Sequence, residues 1–164
     1  MMKLRWSMTF NSPLEAGVRA SCILLSAYPK VFDLQRLVAF DHLIVHTGDV
    51  GGPQSLHPLL PLRSSEILVR RDLIERSLLL MMSRKLVERI VDINGINYSA
   101  GEMAETFQST FTSPYLIALR ERGDWVVSKF GNLDDDALRQ TMRRFFGQWI
   151  EEFQIVQHNM EVEK

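Results

Sequence analysis

A mainly α-helical fold with a small β-hairpin wing, a winged-helix-like core extended by C-terminal helices, is what this sequence predicts. Two observations carry the expectation. Apolar residues recur at helical spacing through most of the chain, in stretches opened by Ser or Asp and closed by Pro or Gly. The exception is Leu86-Val87-Glu88-Arg89-Ile90-Val91, a strand-like run directly behind a long helical segment. It leads through Asn94-Gly95, the preferred pair of a type I′ turn, to Tyr98 on a returning strand.

Ser12-Pro13-Leu14-Glu15 opens the first helix: Ser12 and Glu15 form a capping box, and Pro13 sits in the first turn, where no amide hydrogen is needed. That helix runs to about Ala27, closed by Tyr28-Pro29. Asp33 starts a second, with Leu34, Leu37, Val38, Leu43 and Ile44 along one stripe and Gly48 as its stop. Residues 47–63, punctuated by Gly48, Gly51, Gly52, Pro53, Pro58 and Pro61, read as a long connection, and connections of this length usually have a function. Ser64 or Ser65 caps a third helix to about Ser83. It is apolar nearly all round at Leu78, Leu79, Leu80, Met81 and Met82, so its second half should be core. A helix running straight into a hairpin resembles the third helix and wing of winged helix-turn-helix domains, which are more often nucleic-acid or protein docking modules than enzymes. Behind the wing, Glu102 to Phe111 reads as a helix, and Ser113-Pro114 caps another that ends at Gly131. The last helix begins at Asp134, with Asp135 and Asp136 at the positive end of its dipole, and is expected to reach about His158. No internal repeat and no second domain is visible. Residues 1–164 read as a single domain, with the winged-helix-like core at 13–100 and the helical extension at 101–158.

Composition narrows the function classes. Hydrophobic residues make up 46% and charged residues 24%, without a low-complexity tract or a long block of like charge, so the chain should fold almost end to end. Nineteen basic against twenty acidic residues give a net charge of −1, which supplies no global attraction to nucleic acid or anionic membrane. The single cysteine, Cys22, excludes an intrachain disulfide framework and a cysteine-rich zinc module, and fits a reducing cytoplasm. The start, MMKLRWSMTF, lacks a continuous apolar stretch, and the apolar run Leu78 to Met82 is too short to span a bilayer. Neither export nor membrane insertion is expected.

The signals for chemistry are weak. Gly48-Asp49-Val50-Gly51-Gly52-Pro53 looks like the nucleophile loop of trypsin-like proteases, but valine stands where a hydroxyl is required, and the helical surroundings cannot make two β-barrels. His42 and His46 stand four apart on one helix face with Asp41, Asp49 and His57 near in sequence, so a metal site can be drawn. Leu43, however, follows His42 where a zinc peptidase helix carries Glu, and histidines near a helix end commonly cap carbonyls or pack half-buried. No phosphate loop, dinucleotide fingerprint, paired cysteines or Cys-His arrangement is present, so no catalytic, cofactor-binding or metal residues are assigned and no enzyme activity is expected.

Two surface features remain. Of the basic cluster Arg70, Arg71, Arg76, Arg84, Lys85 and Arg89, the first three each have an acidic residue four positions away: Glu66, Glu75 and Asp72. Arg84, Lys85 and Arg89 stay as a compact positive spot, the candidate nucleic-acid contact. On the last helix Phe145, Phe146, Trp149 and Phe153 form an aromatic stripe that either packs on the core or anchors a partner.

The stretches FNSPLEAGVRA from Phe10, YP at Tyr28, DLQRLV from Asp33, VHTGDVGGP from Val45, SLHP from Ser55, PLR from Pro61, LVRRDLIERSLLLMMSRKLVERI from Leu68 and TSPY from Thr112 are similar, in collinear order, to the middle component, type two, of bacterial ABC-three component systems. The last twenty or so residues match weakly. The resemblance implies a trio: an ABC ATPase of the kind related to chromosome-maintenance (SMC) and recombination ATPases, this small middle component, and an effector protein. Such systems, which include relatives of the Lamassu type, are associated with defence against phage and plasmids. The middle component is regarded as an adaptor without catalytic residues. The segment around His46 and Asp49 is then architectural or interfacial, and the expected mechanism is that the winged-helix unit docks on the ATPase and passes its DNA-dependent conformational change to the effector subunit. The rival expectation is a free-standing winged-helix regulator that dimerises through its C-terminal helices and reads DNA with its third helix.

Overall fold

Ser12 Oγ accepts the Glu15 amide at 3.2 Å and Pro13 occupies the first turn, so the capping signals open helix α1, Pro13–Ala27, where expected. The computed structural model describes residues 12–58 and 64–147. After α1 come α2 (Leu34–Val45), a 3-10 turn (Thr47–Val50), α3 (Ser64–Ser83), strands β1 (Val87–Asp92) and β2 (Gly95–Ala100), α4 (Ala104–Ser109), α5 (Pro114–Phe130) and α6 (Asp135–Phe146). The described chain is therefore mostly helical, with one two-stranded antiparallel sheet. Its hub is α1, which packs against α2, α3, α4, α5 and β2. Consequently Ala16, Ala20, Cys22, Ile23 and Leu24 are buried on all sides of that helix rather than along one stripe.

Asp33 caps α2, its carboxylate accepting the Arg36 amide at 2.8 Å, but the helix stops at Val45, three residues before the Gly48 expected to end it. The reason is tertiary. The Val45 carbonyl accepts the amides of Leu56 and His57 at 3.0 and 3.1 Å from the returning connection, and His46 leaves the helical region with φ −122° and ψ 32°. Helix α3 has the bounds expected of it. Leu78 and Met81 are buried, whereas Leu79 is 60% exposed, so the apolar run is not core all round. A helix against one layer of neighbours keeps an outer face whatever occupies it.

The hairpin forms where predicted, with a different turn. Asp92 pairs with Gly95, so Ile93 and Asn94 are the connecting residues, and of the turn only Gly95 has positive φ, at 111°. Type I′ needs positive φ at both central residues, a conformation that β-branched Ile93 resists. The Asp92 carboxylate accepts the Asn94 amide at 2.7 Å instead, and Gly95 absorbs the left-handed step. On its far side β2 pairs with Phe32, just before α2: the Phe32 amide donates to the Tyr98 carbonyl at 3.0 Å, and the Tyr98 amide to the Phe32 carbonyl at 2.8 Å.

Two further expectations change. The helix drawn over Glu102 to Phe111 is only Ala104–Ser109, because the Met103 and Ala104 amides are taken by the carbonyls of Lys85 and Gly101 at the base of the hairpin. Asp134 caps α6 as expected, its carboxylate accepting the Ala137 amide at 2.7 Å. That helix ends at Phe146, because Gly147 adopts φ 67° and ψ −123°, outside any helix, so an uninterrupted run to His158 is not formed. Trp149 and Phe153 lie outside the described residues.

Candidate functional site

The most densely bonded polar centre lies inside the helical body. Arg19 projects from the middle of α1 and Asp41 from α2; the Arg19 Nε donates to Asp41 Oδ1 at 2.6 Å with both side chains nearly sealed from solvent. Arg70, from α3, closes the triad by donating Nη1 to Asp41 Oδ2 at 2.7 Å. A carboxylate only 1% exposed is stable in charged form when cations compensate it. Burial pushes the Asp41 carboxyl up, but the two guanidiniums outweigh it and hold it below the usual carboxylate range. Arg19 shows the reciprocal balance: burial pulls it down, and Asp41 more than restores it.

From this triad the network continues into the long connection. Arg19 hydrogen-bonds the hydroxyl of Tyr115 on α5, and that hydroxyl lies 2.9 Å from His57 Nε2. The connection is folded on itself: the Thr47 hydroxyl donates to the Pro53 carbonyl at 2.8 Å, the Gly48 amide to Ser55 Oγ at 3.0 Å, and the Gly52 amide to the Thr47 carbonyl at 2.9 Å. It is also clamped to α5. Arg122 donates Nε and Nη2 to the Gln54 carbonyl at 3.0 and 2.7 Å, and the Trp125 ring lies against Gly52 so closely that a Cβ there would stand 2.5 Å from it. Glycine at 52 is a requirement of contact, since any side chain would displace the indole.

The histidines on and beside the connection are packed against other rings. His42 is buried, with its ring 4.4 Å from that of His46 and edge-on to Phe146 at 4.4 Å. Burial, then Arg70 and His46, push its pKa down to about 2. His57 falls to about 4, through burial first and then the nearby Arg19. Uncharged imidazoles beside cations suit a seat for the connection. Among the described residues no group of three or more His, Cys, Asp or Glu side chains is placed to hold a metal ion.

The residues expected to bind partners are therefore dispersed. His46 is buried at the end of α2, with Nδ1 3.8 Å from the Asp49 carboxylate, and Asp49 is exposed on the connection. Phe146 faces inward onto His42, whereas Phe145 is 39% exposed with the Arg144 guanidinium 5.4 Å from its ring. Arg84, Lys85 and Arg89 are exposed around the base of the hairpin; Lys85 pairs with Glu102 at 3.4 Å, leaving Arg84 and Arg89 without an ion pair among the described residues. On α3 the pairs Arg71–Glu75 and Asp72–Arg76 form at 3.7 and 3.1 Å as their spacing indicates, but Arg70 turns inward to Asp41.

Sequence reasoning missed Arg19, Tyr115, Arg122 and Trp125 and placed Arg70 on the surface. A signal existed for the first: a lone arginine amid Ala16, Val18, Ala20 and Cys22, and a lone aspartate in LVAFDHLIV, are buried charges seeking each other.

A second feature stands out at the opposite end of the chain's chemistry. The hairpin tip exposes Val91, Ile93 and Ile96, with Ile93 wholly in solvent, and α3 exposes Val69 and Leu79. No helix among the described residues is long and apolar enough to cross a membrane. No curated protein and no solved structure matches the chain. The model of one family does, over residues 9–152, which takes in every described residue of the buried triad, the connection and the hairpin. On that match the chain belongs to the ABC-three component system Middle Component 2 family.

Proposed function

We propose that this chain is the non-catalytic adaptor of its three-component system, a cytoplasmic protein that holds an ABC ATPase related to chromosome-maintenance ATPases on one side and an effector subunit on the other, in defence against phage or plasmids. Family membership supports a role among partner subunits. The observation that carries the reading further is the inversion of polarity between interior and surface. The dense polar centre around Asp41 is buried and its charges are paired with one another, while aliphatic side chains stand in solvent on α3 and the hairpin. Exposed aliphatic side chains grouped on neighbouring elements suit protein contact.

The order α1, Phe32 bridge, α2, α3, hairpin supports reading residues 13–100 as the winged-helix-like unit, with residues 101–158 as its helical extension in one domain. The docking face in this proposal is α3 with the hairpin, joined by Phe145 and, through the connection, by His46 and Asp49; Phe146 acts from the core side, and Trp149 and Phe153 are included on their sequence pattern alone.

Co-expression with the two proteins encoded beside its gene, followed by light scattering of the purified species, tests the proposal. A complex containing the ATPase and this chain supports it; a chain that elutes alone in the presence of both sinks it. One observation favours a second reading, Arg84 and Arg89, exposed beside Lys85 at the base of the hairpin and without an ion pair among the described residues. A DNA-reading regulator would bind duplex without the ATPase, and its affinity would fall with salt at a slope of about 0.9 per phosphate contacted.

A further inference from the structure

We infer that the outer edge of β1 is a docking site for an extended segment of a partner subunit, which adds to the hairpin as a further strand with an acidic side chain opposite Arg89 and an aliphatic one opposite Val91. The backbone directions follow from the far side of the sheet. Both main-chain groups of Tyr98 are bonded to Phe32, so they point away from β1. Tyr98 is the register partner of Arg89, which makes that pair the non-hydrogen-bonded kind in the antiparallel ladder. The amide and carbonyl of Arg89 therefore point outward from β1, and by alternation those of Val91 do too. Neither residue has a backbone hydrogen bond beyond the hairpin ladder among the described residues. The two edges of the sheet thus differ among the described residues: β2 is covered by Phe32, and β1 is open.

Open edges invite strand addition, and proteins usually blunt them with charge or a cover. Here the side chains select an occupant. Val87, Arg89 and Val91 share one face with Ala100, Tyr98 and Ile96. That face is core at its base, where Val87 and Ala100 are buried, and solvent at its tip, where Val91 is 66% exposed beside Ile96. Arg89 stands between, exposed and without an ion pair among the described residues, with Arg84 near the base of the hairpin. A strand laid along β1 sets its side chains on this face two residues apart, opposite Arg89 and opposite Val91. An acid at the first and an aliphatic at the second complete both contacts. Phosphate backbone satisfies the arginine but leaves Val91, Ile93 and Ile96 in water, so a peptide strand fits better than a nucleic acid.

The inference rests on the adaptor reading for the existence of the partner, and the experiment separates the two. Residue-resolved hydrogen exchange is measured on the isolated full chain and on its co-purified complex with the ATPase and the third protein. In the isolated chain the Arg89 and Val91 amides should exchange fast and the ladder amides of Glu88 and Ile90 slowly. In the complex the first two should slow by tenfold or more, the order expected for each amide gaining a hydrogen bond. Val91→Pro, which removes an outward amide, and Arg89→Glu should each weaken the complex about tenfold. Should Val91→Pro disturb the hairpin, Arg89→Glu and the exchange data on the natural sequence still decide. A complex that forms while Arg89 and Val91 exchange as before overturns the edge site and leaves the adaptor standing. Absence of any complex overturns both. Protection by duplex DNA alone, lost with added salt, overturns the peptide occupant.

Discussion

The segment from His46 to His57 and the hairpin from Val87 to Ala100 are both irregular or marginal pieces of structure, yet they treat polarity in opposite ways. The first is rich in glycine, proline and polar residues and is pinned to the body through His57, Arg122, Trp125 and, behind them, the Arg19–Asp41–Arg70 triad. The second is rich in β-branched residues and holds its aliphatic tip in water. Polar groups inside with partners are architecture, because their burial is tolerated only when their bonds are made. Apolar groups outside, beside a strand edge with no partner among the described residues, are not explained by the packing those residues show. In the proposed reading the stretch most suggestive of chemistry in the sequence is a structural seat, and the surface offered to a partner lies on the hairpin.

The sharpest way to break that contrast is at the seat. Asp41→Ala leaves the Arg19 guanidinium buried without its carboxylate and should cost about 3–5 kcal/mol in denaturant unfolding. A cost below about 1 kcal/mol would mean that the triad is not structural. Gly52→Ala drives a methyl into the Trp125 ring, 2.5 Å from the position a Cβ would take, and should destabilise by about 1–3 kcal/mol while loosening the connection. Protease cutting between Gly48 and His57 should rise in that variant.

Acid should act on the seat in the same sense. His42 and His57 have native pKa values of about 2 and about 4, below the ordinary 6.5, so the unfolded chain binds more protons as pH falls through 6.5. Their contribution is whole above that value and is lost as pH falls toward the native ones. His42 alone should remove roughly 2 kcal/mol of stability between its ordinary value and about pH 5, and His42→Leu should flatten that part of the curve. Asp41, held below its ordinary 3.8, continues the same trend at lower pH: its contribution is present above 3.8 and disappears as pH falls through its native value.

The smallest effect is expected at the hairpin tip. Ile93→Asp should change stability by less than about 0.5 kcal/mol, because Ile93 is wholly exposed, while it weakens association with the partner subunits. A large loss of stability there would show that the tip packs internally and would erase the contrast.

Much of the fold was legible in local signals. The caps at Ser12, Asp33, Ser113 and Asp134 and the hairpin behind α3 follow from side-chain-to-backbone bonds spanning three residues or fewer, and from a change of apolar period from helical to strand-like. The likeness of VHTGDVGGP and its neighbours to the middle-component family was legible too, and the family match over residues 9–152 agrees with it. Less of the site could be read. His46, Asp49 and Phe145 were named as partner contacts from sequence alone, and nothing local reveals that Phe146 packs on His42 or that Arg70 pairs with Asp41.

By itself the sequence determined the helical class, most element bounds, the hairpin and the near-neutral charge, since each depends on residues close together in the chain. Only the tertiary structure decided where α2 stops, which arginine is buried, why residue 52 is glycine and which edge of the sheet is open. Those outcomes join residues 11 to 73 positions apart, and their energies exist only once the helices, the connection and the hairpin have been brought together.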